Sequence, residues 1–137
     1  MYAELLQQRG AWTIQASNAR DALRAAIELQ PDVVVTDVSL GGRSSGLALT
    51  RYLKRHVTPQ IPVIVLSGYL LPGTTRTARR AGCDRFLTKP CVPEVLADTI
   101  HELLVAVRGR HVPDADGEAE LRNAPTSRSE EKDVNER

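Results

Sequence analysis

No apolar run in this sequence approaches the ~20 residues needed to cross a bilayer, so a membrane-spanning helix is excluded. The first ten residues, MYAELLQQRG, have neither a basic start nor an apolar stretch behind it, and no signal peptide is visible. Cysteine is scarce. Cys83 and Cys91 have no metal-ligand company in sequence and cannot build a disulfide framework, which fits a reducing cytoplasm. Charge of one sign is also missing: the net charge is +1, and nothing in that balance asks for nucleic acid. There is no internal repeat, and 137 residues are too few for two ordinary domains.

What is present divides unevenly. Residues 1–107 carry 12 Lys/Arg and 9 Asp/Glu, whereas residues 108–137 carry 6 and 8 and keep Val112, Leu121 and Val134 as isolated aliphatics. Such a segment cannot bury enough apolar surface to offset chain entropy. The expectation is one domain over 1–107, followed by a disordered or weakly structured tail over 108–137.

Hydrophobic periodicity within the domain alternates between two kinds. Tyr2 to Gln8 reads as the end of a helix stopped by Gly10, and Trp12-Thr13-Ile14-Gln15-Ala16 alternates as a strand would. Ser17-Asn18 offers an N-cap for a helix over Ala19 to Gln30, with Ala22, Leu23, Ala26 and Ile27 on one face. Val33-Val34-Val35 is a β-branched run between Pro31 and Gly41-Gly42, which predicts a strand buried on both faces and ending at Asp37. A Gly/Ser loop, a helix over Leu47 to His56 and a strand over Val63 to Leu66 follow. A helix from about Gly73 to Ala81 is closed by Gly82, Arg85 to Thr88 is a strand, and Pro93 opens the last helix. Strict alternation with short connections predicts an α/β fold, a parallel sheet covered by helices on both faces.

In an open sheet of this kind ligands bind at the carboxyl ends of the strands. The last three strands end in Asp37, Ser67 and Lys89, a carboxylate, a hydroxyl and an ammonium brought to one edge. A carboxylate can be a nucleophile toward a phosphoryl group. A lysine and a hydroxyl beside it can bind the phosphoryl oxygens, and catalysis of such transfer is mostly positioning and charge neutralisation. Taken one at a time the residues also have plain readings: Asp37 as a turn former, Ser67 as a helix cap, Lys89 as a snorkelling side chain, Phe86 as core.

The segments VVVTDVSL, VIVLSG and FLTKP, with separations of 30 residues (37 to 67) and 22 residues (67 to 89), resemble the receiver domain of two-component response regulators over about residues 2–107. The resemblance implies a flavodoxin-like doubly wound sheet. It also implies that Asp37 is the phosphoacceptor, that Lys89 pairs with the acyl phosphate, and that Lys89-Pro90 is a cis peptide. Ser67 would hydrogen-bond a phosphoryl oxygen, Phe86 would be the aromatic switch, and Mg²⁺ would be held by Asp37 and the backbone carbonyl of Ser39. The implied partners are a histidine kinase or histidine phosphotransfer protein and a downstream protein target, with no nucleic acid and no membrane.

Two departures from the family qualify this picture. Receivers begin with an apolar strand ending in two adjacent acidic residues, and no such pair occurs in residues 1–107, where Glu4, Asp21 and Glu28 fall on predicted helices. A start placed too far downstream is the preferred account, with a degenerate fragment as the other. Weak Mg²⁺ binding and slow or absent phosphorylation are expected for the chain as written. The loop after Asp37, Leu40 to Gly46, is also about one residue longer than usual. The expected function is a stand-alone cytoplasmic receiver, a switch and phosphoryl substrate more than an enzyme. A phosphorylation-independent interaction module is the alternative. A haloacid-dehalogenase-type phosphatase needs a second carboxylate two residues on as general acid, and that position is Ser39.

Overall fold

The computed structural model describes residues 2–40, 45–57, 59–68 and 72–110. In chain order the elements are α1 (Tyr2–Gln8), α2 (Ala19–Leu29), β1 (Val34–Asp37), α3 (Ser45–Tyr52), β2 (Val63–Ser67), α4 (Thr74–Ala81), β3 (Arg85–Thr88) and α5 (Pro93–Arg110). The three strands form one parallel sheet in the order β1-β2-β3.

Burial singles out β2. Val63, Ile64 and Val65 are completely buried, so β2 is the strand covered on both faces, whereas Val34 and Val35 of β1 are half-buried. The burial on both faces expected of the Val33–Val35 run is found in its neighbour, and among the described residues β1 has a strand partner on one side only. Along β2 the side chains alternate between two helical layers, as the two-residue period of a strand requires. Ile64 and Leu66 pack with Leu96 and Leu103 of α5 and with Tyr2 of α1. Val63 and Val65 pack with Leu47 of α3 and Ala78 of α4. A third cluster, Ala26, Leu49 and Leu53, joins α2 to α3. Fully burying a Val, Leu or Ile side chain contributes about 1.5–3 kcal/mol, which makes β2 the main apolar anchor of the sheet.

Helix ends fall where the sequence places them. The Asn18 side chain accepts from the Asp21 amide at 2.8 Å and caps α2, whose far end closes at Gln30 in the left-handed region (φ 45°). Gly82 (φ 102°) closes α4, with its amide donating to the Ala78 and Arg79 carbonyls, and Pro93 starts α5. The helix expected over 47–56 is α3 followed by a wider π-helical turn, Leu53–Val57.

One expected element is not formed. Residues 11–16 make no strand ladder, and Trp12 is 82% exposed. A strand is stable only when its backbone groups find a ladder partner. In the receiver order 2-1-3-4-5 this segment pairs with a strand ahead of α1, and no such strand is among these residues. Of the predicted tail, residues 108–110 continue α5, and 111–137 lie outside the described residues, as do Tyr69-Leu70-Leu71 and most of the loop after Leu40.

Candidate functional site

The register of the sheet assembles the site. Asp37 stands opposite Leu66, Leu66 opposite Leu87, and Ser67 opposite Thr88, so Asp37, Ser67 and Lys89 leave the sheet at one edge. Lys89 Nζ lies 2.7 Å from Asp37 Oδ1, an ion pair whose side chains are 39% and 42% exposed. The lysine is aimed by its backbone: the Lys89 amide donates to the Ser67 carbonyl at 2.8 Å, extending the β2–β3 ladder by one step. The peptide that follows, Lys89-Pro90, is cis, as the resemblance implied.

Ser67 is brought in by the same bond and is buried, at 4% exposure. Phe86, three residues before Lys89, sits opposite Val65 and packs half-buried against the cluster that includes Val63, Val65 and Ala78. It lies on the α3–α4 side of the sheet. Ser39 is exposed, two residues past the end of β1.

On the other side of Asp37 the chain is fixed by a contact that sequence reasoning missed. The Val38 amide donates to the Leu66 carbonyl at 2.9 Å, and the Gly46 amide at the start of α3 donates to the Val38 carbonyl at 3.1 Å. A Cβ at Gly46 would overlap the Asp37 carbonyl oxygen, so only glycine allows α3 to approach the strand end this closely. Thr50 Oγ1 donates to the Gly46 carbonyl at 2.8 Å and holds that turn from within α3. The one available signal was a glycine just ahead of an apolar-periodic helix, which the other glycines of the loop obscured.

An exposed ion pair contributes at most about 1 kcal/mol to stability. The arrangement at Asp37 and Lys89 is therefore not explained by folding. It leaves a carboxylate at the rim of the sheet, oriented and charge-compensated, where an incoming group can reach it.

The donor set does not fit a protein-held Mg²⁺ ion, which demands near-octahedral oxygen coordination. Asp37 supplies one carboxylate, already paired with Lys89, and Ser39 could add one carbonyl. Among the described residues no three His, Cys, Asp or Glu side chains come together. The flanking segments outside the described residues, Gly-Gly-Arg-Ser at 41–44 and Tyr-Leu-Leu at 69–71, contain no carboxylate.

Comparison with known proteins agrees with this geometry. Residues 1–101 match the profile of the response regulator receiver domain. The polar-differentiation response regulator DivK of Brucella anthropi is 31% identical over 109 residues, covering 76% of this chain and 85% of that protein. Among solved structures, the signal receiver domain of a signal transduction histidine kinase from Syntrophus aciditrophicus superposes with a TM-score of 0.69 at 34% identity, covering 77% of this chain and 80% of that one. The receiver domain of NtrX from Brucella abortus gives a TM-score of 0.65 at 33% identity, with 75% and 86% covered. Fold and matched length agree: the chain belongs to the response regulator receiver domain family.

Proposed function

We propose that this receiver accepts a phosphoryl group on Asp37 from a histidine kinase or histidine phosphotransfer protein and thereby changes its affinity for a downstream protein. The observation that carries the proposal is the 2.7 Å pair between Lys89 Nζ and Asp37 Oδ1 at the rim of the sheet. In the transfer, a carboxylate oxygen of Asp37 forms a bond to phosphorus as the bond from phosphorus to the donor histidine nitrogen breaks. That nitrogen leaves with the electron pair, and the product is an acyl phosphate on Asp37. Lys89 neutralises charge on the phosphoryl oxygens, and Ser67 is the hydroxyl within the same edge that can hydrogen-bond one of them. Phe86, packed below the β2–β3 edge, is the side chain through which a shift at Ser67 would reach the α4 surface.

In this role the protein is a substrate and a switch rather than an enzyme, and its place is the cytoplasm. No helix among the described residues is long and apolar enough to cross a membrane. A Phos-tag gel after incubation with a phosphohistidine donor tests the reading: an Asp37-dependent shifted band is expected, absent in Asp37→Asn.

A second reading has one observation in its favour. Receivers typically hold Mg²⁺ beside the phosphoacceptor, and here the donor set is a single paired carboxylate. A phosphorylation-independent interaction module would need no such ion. Partner binding that is identical in wild type and Asp37→Asn, with and without kinase, would select that reading.

A further inference from the structure

We propose that the acidic segment Asp114–Glu120, which follows α5, folds back around the β3 edge and lies along the arginine face of α4. The proposal is independent of the reading of Asp37.

Helical geometry sets the host surface. Ala78 and Ala81 are buried and turn one side of α4 into the core, while Arg76, Arg79 and Arg80, spaced three and four apart, are exposed on the other. Neither α4 nor the stretch 45–57, which holds α3 and the π-helical turn, contains a carboxylate. Asp84, three residues past the end of α4, is already committed to Lys54 and to the Val63 amide. Among the described residues the three guanidinium groups form no ion pair. Helix stability does not explain them. Like charges at i and i+4 repel, and Arg76 stands in the first turn, where the helix dipole opposes a cation.

The chain itself carries a matching occupant. Asp114-Ala115-Asp116-Gly117-Glu118-Ala119-Glu120 alternates strictly between acids and small residues and holds no base. In an extended chain this two-residue period puts all four carboxylates on one side, about 6.6 Å apart. In a helix the same spacing would spread them around the axis. Arg76 and Arg80 are separated by a rise of about 6 Å along α4, so successive carboxylates can meet successive arginines.

Topology brings the two within reach. α4 ends just ahead of β3, and Val107 near the end of α5 shares a cavity wall with Asp32, Ile61 and Pro62, which precede β1 and β2. Both helices therefore finish at the same edge of the sheet. They cover opposite faces, α5 over Ile64 and Leu66 and α4 over Val63 and Val65, and β3 is the outer strand between them. Ten residues separate Arg110 from Glu120 and reach at most about 35 Å, enough to round an edge flanked by helical layers each about 10 Å thick. Arg85, the first residue of β3, is exposed at the edge to be rounded. Each exposed pair is weak, so the contact depends on four carboxylates acting together and on a tether that sets an effective concentration of order millimolar. So placed, the segment is an internal competitor for any acidic partner of α4.

Nuclear magnetic resonance of the isotope-labelled full chain tests this. Wild type is compared with Asp114→Asn/Asp116→Asn/Glu118→Gln/Glu120→Gln at about 20 mM salt, where exposed charges are little screened. The amide signals of Arg76 to Ala81 are expected to move while those of β2 stay in place. Raising the salt to about 500 mM should carry the wild-type α4 signals at least about halfway to the variant's positions. In the reciprocal variant, Arg76→Gln/Arg79→Gln/Arg80→Gln, the amides of 114–120 should move toward their high-salt positions. Superimposable α4 signals in wild type and the acid-free variant overturn the proposal, as do amides of 114–120 that ignore the arginine substitutions. Shifts that fade on dilution from about 500 to about 50 µM, both below the tether's effective concentration, place the segment on a second copy and overturn the fold-back.

Discussion

Two Lys–Asp pairs of identical length sit at opposite edges of the sheet. Lys54 and Asp84 meet at 2.7 Å beside the start of β2, and Lys89 and Asp37 meet at 2.7 Å beyond the end of β1. Their surroundings differ. Lys54 is 14% exposed and also donates to the Ile61 carbonyl at 2.8 Å and the Pro59 carbonyl at 3.3 Å. Asp84 accepts from the Val63 amide at 2.8 Å while its own amide donates to the Val63 carbonyl at 2.8 Å. The lower pair is thus tied into backbone on every side and fixes where β2 and β3 begin. Asp84 is 36% exposed, close to the 39% and 42% of Lys89 and Asp37, so what separates the pairs is the burial of Lys54 and the backbone bonds around it. An interaction of one kind and one distance is bound into the backbone at one edge and stands at the rim of the sheet at the other, where the proposed phosphoryl transfer would take place.

The sharpest way to break this comparison is to remove the acid from each pair in turn. Asp84→Ala leaves a largely buried ammonium and an orphaned Val63 amide, and a loss of about 2–4 kcal/mol is expected in urea unfolding. Gly46→Ala pushes a methyl group into the Asp37 carbonyl and should cost about 1–3 kcal/mol while reducing phosphoryl labelling of Asp37. Asp37→Asn should abolish labelling yet move stability by less than about 1 kcal/mol. If Asp37→Asn proves as destabilising as Asp84→Ala, the distinction between the two edges is wrong.

The smallest effect concerns Cys83, next to Asp84. Burial, and then the neighbouring carboxylate, push its thiol above the ordinary cysteine range. Because the unfolded chain releases this proton before the folded one does, the stabilisation is full below the unfolded thiol's range. It is lost as pH rises through the folded value. Alkylation followed by mass spectrometry should find Cys83 reacting only at more alkaline pH than the same peptide after denaturation.

Much of this is legible in the sequence. Val63 to Leu66, bounded by Pro62 and Gly68, reads as a short strand, though burial on both faces is expected of Val33–Val35 instead, and Gly82 and Pro93 mark helix ends that local backbone preference alone decides. Asp37, Ser67 and Lys89 could be placed at one edge because parallel topology leaves no other choice. What the sequence hid depends on partners distant in the chain. Trp12 to Ala16 has the alternation of a strand, but alternation does not supply a neighbour to pair with. Nor does composition reveal that Gly46 must lie against Asp37, or that Lys54 reaches across to Asp84, since both are properties of packing.

One contact ties the start of the described chain to the segment ahead of α5. Tyr2 Oη donates to the Cys91 carbonyl at 2.9 Å, so the first turn of α1 is fastened to the residue just after the cis Lys89-Pro90 peptide. The start of α1 therefore lies beside the segment that carries Lys89.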